Sequence, residues 1–96
     1  MKTKILFVCG AGLGSSFACQ MITEEVLKKN NYEDYQLDHS DISSCISLKP
    51  NIIITAENFK TQFKNFNIPE GIKIIYLKNI VSKDEIEEKL KDILGF

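Results

Sequence analysis

Apolar and polar positions along this chain alternate between two periods, and each switch marks an element. Ile5–Val8 is a continuous apolar run followed by a glycine loop, which predicts a buried strand over Lys4–Val8. Ala18, Met21, Ile22 and Val26 recur at helical spacing, predicting a helix from a cap at Ser15 or Ser16 to about Lys29. Lys28 and Lys29 suit the negative end of its dipole, and Asn30-Asn31 suit its exit turn. Weak alternation in "YQLDHSD" predicts a more exposed second strand, Tyr35–Ser40, and Ile42–Leu48 reads as a short helix or turn before Pro50. "NIIIT", Asn51–Thr55, is the next buried strand. Glu57–Phe66, a short helix or irregular segment, carries Phe59, Phe63 and Phe66 at helical spacing. "IPEG" then breaks the chain, and Ile72–Leu77 forms a fourth strand. Ser82-Lys83-Asp84-Glu85 reads as a capping box opening a helix with Ile86, Leu90, Ile93 and Leu94 on one face.

Strands that alternate with helices predict an α/β fold, a parallel sheet flanked by helices. Four strands in the order 2-1-3-4 with right-handed crossovers are the economical arrangement, Rossmann-like in kind. That order puts a topological switch point at the C-terminal end of the first strand, beside the third. Open α/β sheets bind ligands there. Cys9 follows that strand directly.

Composition narrows the function. Ninety-six residues suit a single domain over 1–96, and 44% hydrophobic content is ordinary for a globular protein. A formal net charge of −1 leaves no electrostatic footprint for nucleic acid. The apolar run Ile5–Val8 is far shorter than the ~20 residues of a membrane span. The basic start "MKTK" ahead of it reads as the lead into a strand of a cytoplasmic protein rather than as a signal peptide. Cys9, Cys19 and Cys45 are odd in number and form no C-x-x-C pair, which argues against a disulfide scaffold or a zinc site. Free thiols fit a reducing compartment. No metal and no cofactor are called for by these residues. The chain has twelve lysines and no arginine.

The chemistry concentrates in "ILFVCGAGLGSSFACQMI", Ile5–Ile22, which has no charged side chain. Glycines at 10, 12 and 14 remove bulk and permit positive φ, so successive N–H groups of Gly10, Ala11, Gly12, Leu13, Gly14, Ser15 and Ser16 are expected to form an anion-binding nest. A helix N-terminus adds its dipole, and the two serine hydroxyls add donors. The same field favours the Cys9 thiolate, a nucleophile near neutral pH. A thiolate in an oxyanion cradle points to attack on phosphorus. There is no P-loop lysine, and the glycines read G-x-G-x-G, so a nucleotide site fits poorly. Low-molecular-weight tyrosine phosphatases and their arsenate reductase relatives share the strand, cysteine loop and helix. Their C-x5-R signature has Ser15 here in place of arginine. A phosphatase uses that arginine on the transition state, whereas a carrier must hold the group and then surrender it.

"ILFVCGAGLGSSF" followed by a helix resembles the IIB component of the bacterial phosphoenolpyruvate-dependent sugar phosphotransferase system. Within that system it looks most like the L-ascorbate branch of the ascorbate–galactitol superfamily, whose loop reads C-G-x-G-x-G-[ST]-S. The galactitol loop, C-G-x-x-x-A-T-S, and the Ser-Ala-Gly that usually follows the lactose/cellobiose cysteine both differ from it. Mannitol-type domains share C-x-x-G-x-G-S-S. The resemblance implies the fold shared with low-molecular-weight tyrosine phosphatases. It also implies that Cys9 receives a phosphoryl group from a phosphohistidine on a IIA protein and passes it to a sugar, L-ascorbate on this reading, bound by a membrane IIC transporter. The protein is then cytoplasmic and associates with that transporter. An arginine-less phosphatase or reductase, or a non-catalytic anion-binding module, remain the other readings of the loop. Elsewhere Cys19 reads as packing, Cys45 as inert, His39 as a solvated strand residue, and Phe59 and Phe63 as core. Thr55, at the end of the third strand, is expected to line the phosphate pocket.

Overall fold

The structure, a computed structural model, describes residues 2–8 and 13–96, the side chains of 13–16 excepted. Four strands, β1 (Thr3–Val8), β2 (Tyr35–Ser40), β3 (Ile52–Ala56) and β4 (Lys73–Leu77), form one parallel sheet in the order β2-β1-β3-β4. The helices are α1 (Leu13–Lys29), α2 (Lys60–Phe63), entered through a 3-10 turn at Glu57–Phe59, and α3 (Lys83–Leu94). This is the predicted topology, with strand limits displaced by one residue at most. The Ile42–Leu48 segment is a series of turns.

Because successive side chains on a strand point to opposite faces, β1 feeds two cores. Ile5 and Phe7 pack with Ile52, Ile54, Ile75 and Leu77 beneath α1 and α3, while Leu6 and Val8 pack with Ile53, Cys45 and Phe63 on the other side. Each fully buried aliphatic side chain here contributes about 1.5–3 kcal/mol of transfer free energy. Phe63 is therefore core as expected, and Phe59 is half-buried against the same cluster. Asn51 ties the start of the sheet together. Its Oδ1 accepts from the Lys4 N–H at 2.7 Å, its own N–H donates to the Lys4 carbonyl, and its carbonyl accepts from Lys73.

α1 differs from expectation in two respects. It begins at Leu13 rather than after Ser15 or Ser16, so Gly14, Ser15 and Ser16 occupy the first turn instead of capping it. Its buried face runs through Cys19, Thr23, Val26 and Leu27, whereas Met21 stands 67% exposed. The reason is Thr23. Its hydroxyl donates to the Cys19 carbonyl at 2.8 Å, which satisfies the polar atom and lets a residue that looks polar in sequence face the core. The exit matches the asparagine reading: Asn31 is left-handed (φ 59°), its N–H donates to the Lys28 carbonyl, and Tyr32 donates to Leu27. That pair of bonds is a Schellman closure.

α3 is capped by Ser82, whose Oγ accepts from the Glu85 N–H at 3.3 Å. The reciprocal half of the expected capping box is absent, because the Glu85 carboxylate instead accepts from the N–H groups of Lys78 and Asn79 at 2.8 and 3.0 Å. Gly95 ends the helix at φ 76°, donating to Lys91. Lys29 at the end of α1 and Asn30 in its exit turn both reach Glu87 of α3, so the two long helices are joined side by side.

Candidate functional site

β1 stops at Val8 and α1 starts at Leu13, so both elements meet at the C-terminal edge of the sheet. β2 lies on one side of β1 and β3 on the other, so the chain leaves β1 at the topological switch point. Cys9, Gly10, Ala11 and Gly12 lie outside the described residues, as do the side chains of Leu13, Gly14, Ser15 and Ser16. The backbone of the last four forms the opening turn of a 17-residue helix with no acidic residue in that turn. The first four N–H groups of a helix have no intrahelical partner and carry the positive end of its dipole. Four donors and the favourable end of a dipole therefore stand four residues after Cys9, and no carboxylate in the turn opposes an anion there.

The walls of this edge come from the ends of the other strands. His39, one residue from the end of β2, is half-buried rather than solvated. Its ring packs against Phe7 (centroids 5.4 Å apart) and Phe17 (4.7 Å), and its Nε2 contacts Gln20 Oε1. Phe17 is itself 56% exposed in the second turn of α1. Sequence reasoning missed this cluster, since Phe17, Gln20 and His39 are joined only by the pairing of β2 with β1; the spacing of Phe17 and Gln20 on one helix flank was its sole trace. Beyond β2, the Asp41 carboxylate accepts from the Ser44 N–H at 2.8 Å and from the Ser43 hydroxyl, which lowers its pKa. Thr55 is fully buried on β3 directly across from Val8. Past β3 and β4, Ala56, Glu57, Asn58 and Lys78 border an open hollow of about 520 Å³.

The other two thiols are placed as expected. Cys19 is buried in the core under α1. Cys45 is buried on the opposite face, where burial pushes its thiol pKa up and its Sγ donates to the Ile42 carbonyl. A raised pKa keeps a thiol protonated and unreactive. Among the described residues no three His, Cys, Asp or Glu side chains are grouped to hold a metal ion, and no helix is long and apolar enough to cross a membrane.

A family model described as "PTS system, Lactose/Cellobiose specific IIB subunit" matches residues 4–92. The chain belongs to that family. It is accordingly a phosphotransferase component of the sugar phosphotransferase system, a IIB subunit that works between IIA and IIC partners. No curated protein matches it. Among solved structures it is similar to the lactose-specific IIB component domain of the phosphoenolpyruvate:carbohydrate phosphotransferase system from Streptococcus pneumoniae. The TM-score is 0.58 and the identity 16%, over 99% of this chain and 97% of that one. At that identity the likeness establishes the fold, which IIB domains of this type share with low-molecular-weight phosphatases.

The ascorbate assignment is corrected by this match. It rested on eight loop residues, Cys9–Ser16, and on their difference from the usual lactose/cellobiose loop. The glycine spacing of any phosphate cradle answers to the phosphoryl group, which is the same whichever sugar follows, so it carries no information on sugar identity. The match over 4–92 draws on the strands and helices as well.

Proposed function

We propose that this IIB subunit carries a phosphoryl group as S-phosphocysteine on Cys9. In the first step the Cys9 thiolate attacks phosphorus on a phosphohistidine of a IIA partner. The P–S bond forms, the P–N bond breaks, and the imidazole leaves with its electron pair and takes up a proton. In the second, a hydroxyl oxygen of a sugar held by the IIC transporter attacks phosphorus, the P–S bond breaks, and the thiolate is regenerated while the hydroxyl proton is lost. The sugar is of the lactose/cellobiose class. Residues 1–96 act as one carrier domain in the cytoplasm, docking on the membrane transporter, with no metal or cofactor.

The observation that supports this reading best is the start of α1 at Leu13. It sets the positive end of a 17-residue helix at the switch point, and the glycines at 10 and 12 are the residue type that a nest of N–H groups between Cys9 and that helix requires. With no arginine in the chain, the charge on phosphorus is left to backbone dipoles and neutral hydroxyl donors. That favours reversible transfer over hydrolysis, because the guanidinium that stabilises a phosphatase transition state is missing.

The protein is incubated with labelled phosphoenolpyruvate, the general phosphotransfer proteins and the cognate IIA. Wild type is expected to acquire label and Cys9→Ser to acquire none. Equal label on Cys9→Ser would rule out the phosphocysteine, and turnover of an aryl phosphate without partners would identify a phosphatase instead.

A further inference from the structure

Thr55 is the last residue but one of β3 and pairs with Val8, the residue immediately before Cys9. It is fully buried, and its Oγ1 is the one buried side-chain polar atom that finds no hydrogen-bond partner among the described residues. Thr23, the other buried threonine, makes the contrast clear, since its hydroxyl is satisfied within α1. A buried hydroxyl without a partner is a net cost to folding, and a valine would fill the same space without that cost and with equal liking for a strand. Folding therefore gives no reason for threonine at 55. Its position does, because the hydroxyl stands at the C-terminal ends of β1 and β3, where an open α/β sheet takes its ligand.

We propose that Thr55 is a positioning residue for phosphoryl transfer, its hydroxyl donating a hydrogen bond to the segment following Val8 once that segment carries the phosphoryl group. Among the described residues the donor has no partner at rest; engaged only in the charged protein, it stabilises the phosphorylated state specifically. It forms no covalent bond and gives up no proton. The inference rests on the phosphocysteine reading above, and it places one hydrogen-bond donor of that site on a second strand, far from the loop in sequence.

Thr55→Val and Thr55→Ser are compared with wild type by the equilibrium constant for phosphoryl exchange with phosphorylated IIA and by the Tm of the unphosphorylated protein. A lost hydrogen bond to a charged acceptor corresponds to about a ten- to hundredfold fall in that constant for Thr55→Val, with Thr55→Ser within about threefold of wild type. Tm of Thr55→Val is expected to equal or exceed that of wild type. An unchanged exchange constant in Thr55→Val overturns the proposal. So does a lowered Tm, which would mean that the hydroxyl already has a partner at rest. The Cys9→Ser control separates the two levels. Label on Cys9→Ser defeats the phosphocysteine whatever Thr55 does, whereas a blank Cys9→Ser beside an unaltered Thr55→Val defeats the role of Thr55 alone.

Discussion

For Cys19 and Cys45, environment decides reactivity. Cys19 and Cys45 are both fully buried, and the Cys45 thiol pKa is raised by desolvation. Thiolate is the species that reacts with alkylating agents, so burial and a raised pKa act in the same direction. Iodoacetamide at pH 8 followed by peptide mass mapping is expected to leave Cys19 and Cys45 unmodified in the folded protein and to label both after denaturation. Rapid labelling of Cys45 in the folded state would show that the Ile42–Leu48 turns do not shield it. Packing was legible for Cys19 from its helical position, whereas the shielding of Cys45 was not, because the turns that cover it have no periodicity of their own. His39 illustrates the same limit. Alternation in β2 is weak, and only the ring stack between Phe7 and Phe17 shows which way the imidazole faces.

At the scale of elements, the ends are where local chemistry acts most directly. Gly95 and Lys49 both have positive φ, 76° and 52°. A non-glycine residue in the left-handed region costs about 1–2 kcal/mol. Lys49→Gly is therefore expected to stabilise the protein by about 1 kcal/mol, and Gly95→Ala to destabilise it by about the same amount, as read from urea unfolding midpoints. No heavy atom lies within 4 Å of a β-carbon built at Gly95, so that cost is one of backbone conformation and not of packing. The asparagine exit of α1 and the serine cap of α3 were legible because caps are encoded locally. Two features of α1 were not. Its start at Leu13 lies within a glycine-rich stretch where helix propensity argues for a later beginning. Its buried face includes Thr23, whose hydroxyl is neutralised only once the helix has formed.

At the scale of the whole molecule, three carboxylates couple the fold to pH. Glu85 has its pKa raised by desolvation, but the N–H groups of Lys78 and Asn79, together with Lys89, outweigh this and leave it below the ordinary value of 4.5. Glu87 is lowered by hydrogen bonds from Asn30 and Lys29, and Asp41 by the Ser44 and Ser43 groups. A carboxyl whose folded pKa is depressed adds stability that is present above its unfolded pKa and disappears as pH falls through the folded value. The urea midpoint is therefore expected to hold from pH 7 down to about pH 5 and to fall below about pH 4.5. Glu85→Gln should show a lower midpoint at pH 7 and a shallower acid decline. An acid decline as steep as that of wild type would mean that Glu85 takes no part in it. Lys89 bonds both Glu85 and the Tyr76 carbonyl on β4, so this residue also joins α3 to the edge of the sheet.

Taken alone, the sequence determined the four strands and the two long helices in their order, the parallel 2-1-3-4 sheet and the place of Cys9 after its first strand, and it left the type of Ile42–Leu48 and Glu57–Phe66 open. Those properties follow from periodicity, capping residues and the handedness of crossovers, all written within short windows of chain. It also showed that this chain has no arginine to offer a phosphoryl group. Tertiary structure alone decided which face of α1 is buried, that Glu85 serves the loop after β4 instead of its own cap, and that His39 lies in an aromatic stack. It decided as well that Thr55 stands across from Val8 with its hydroxyl unpartnered among the described residues. Each of these depends on partners from distant parts of the chain, and a residue's local pattern holds no record of a partner that only folding brings to it.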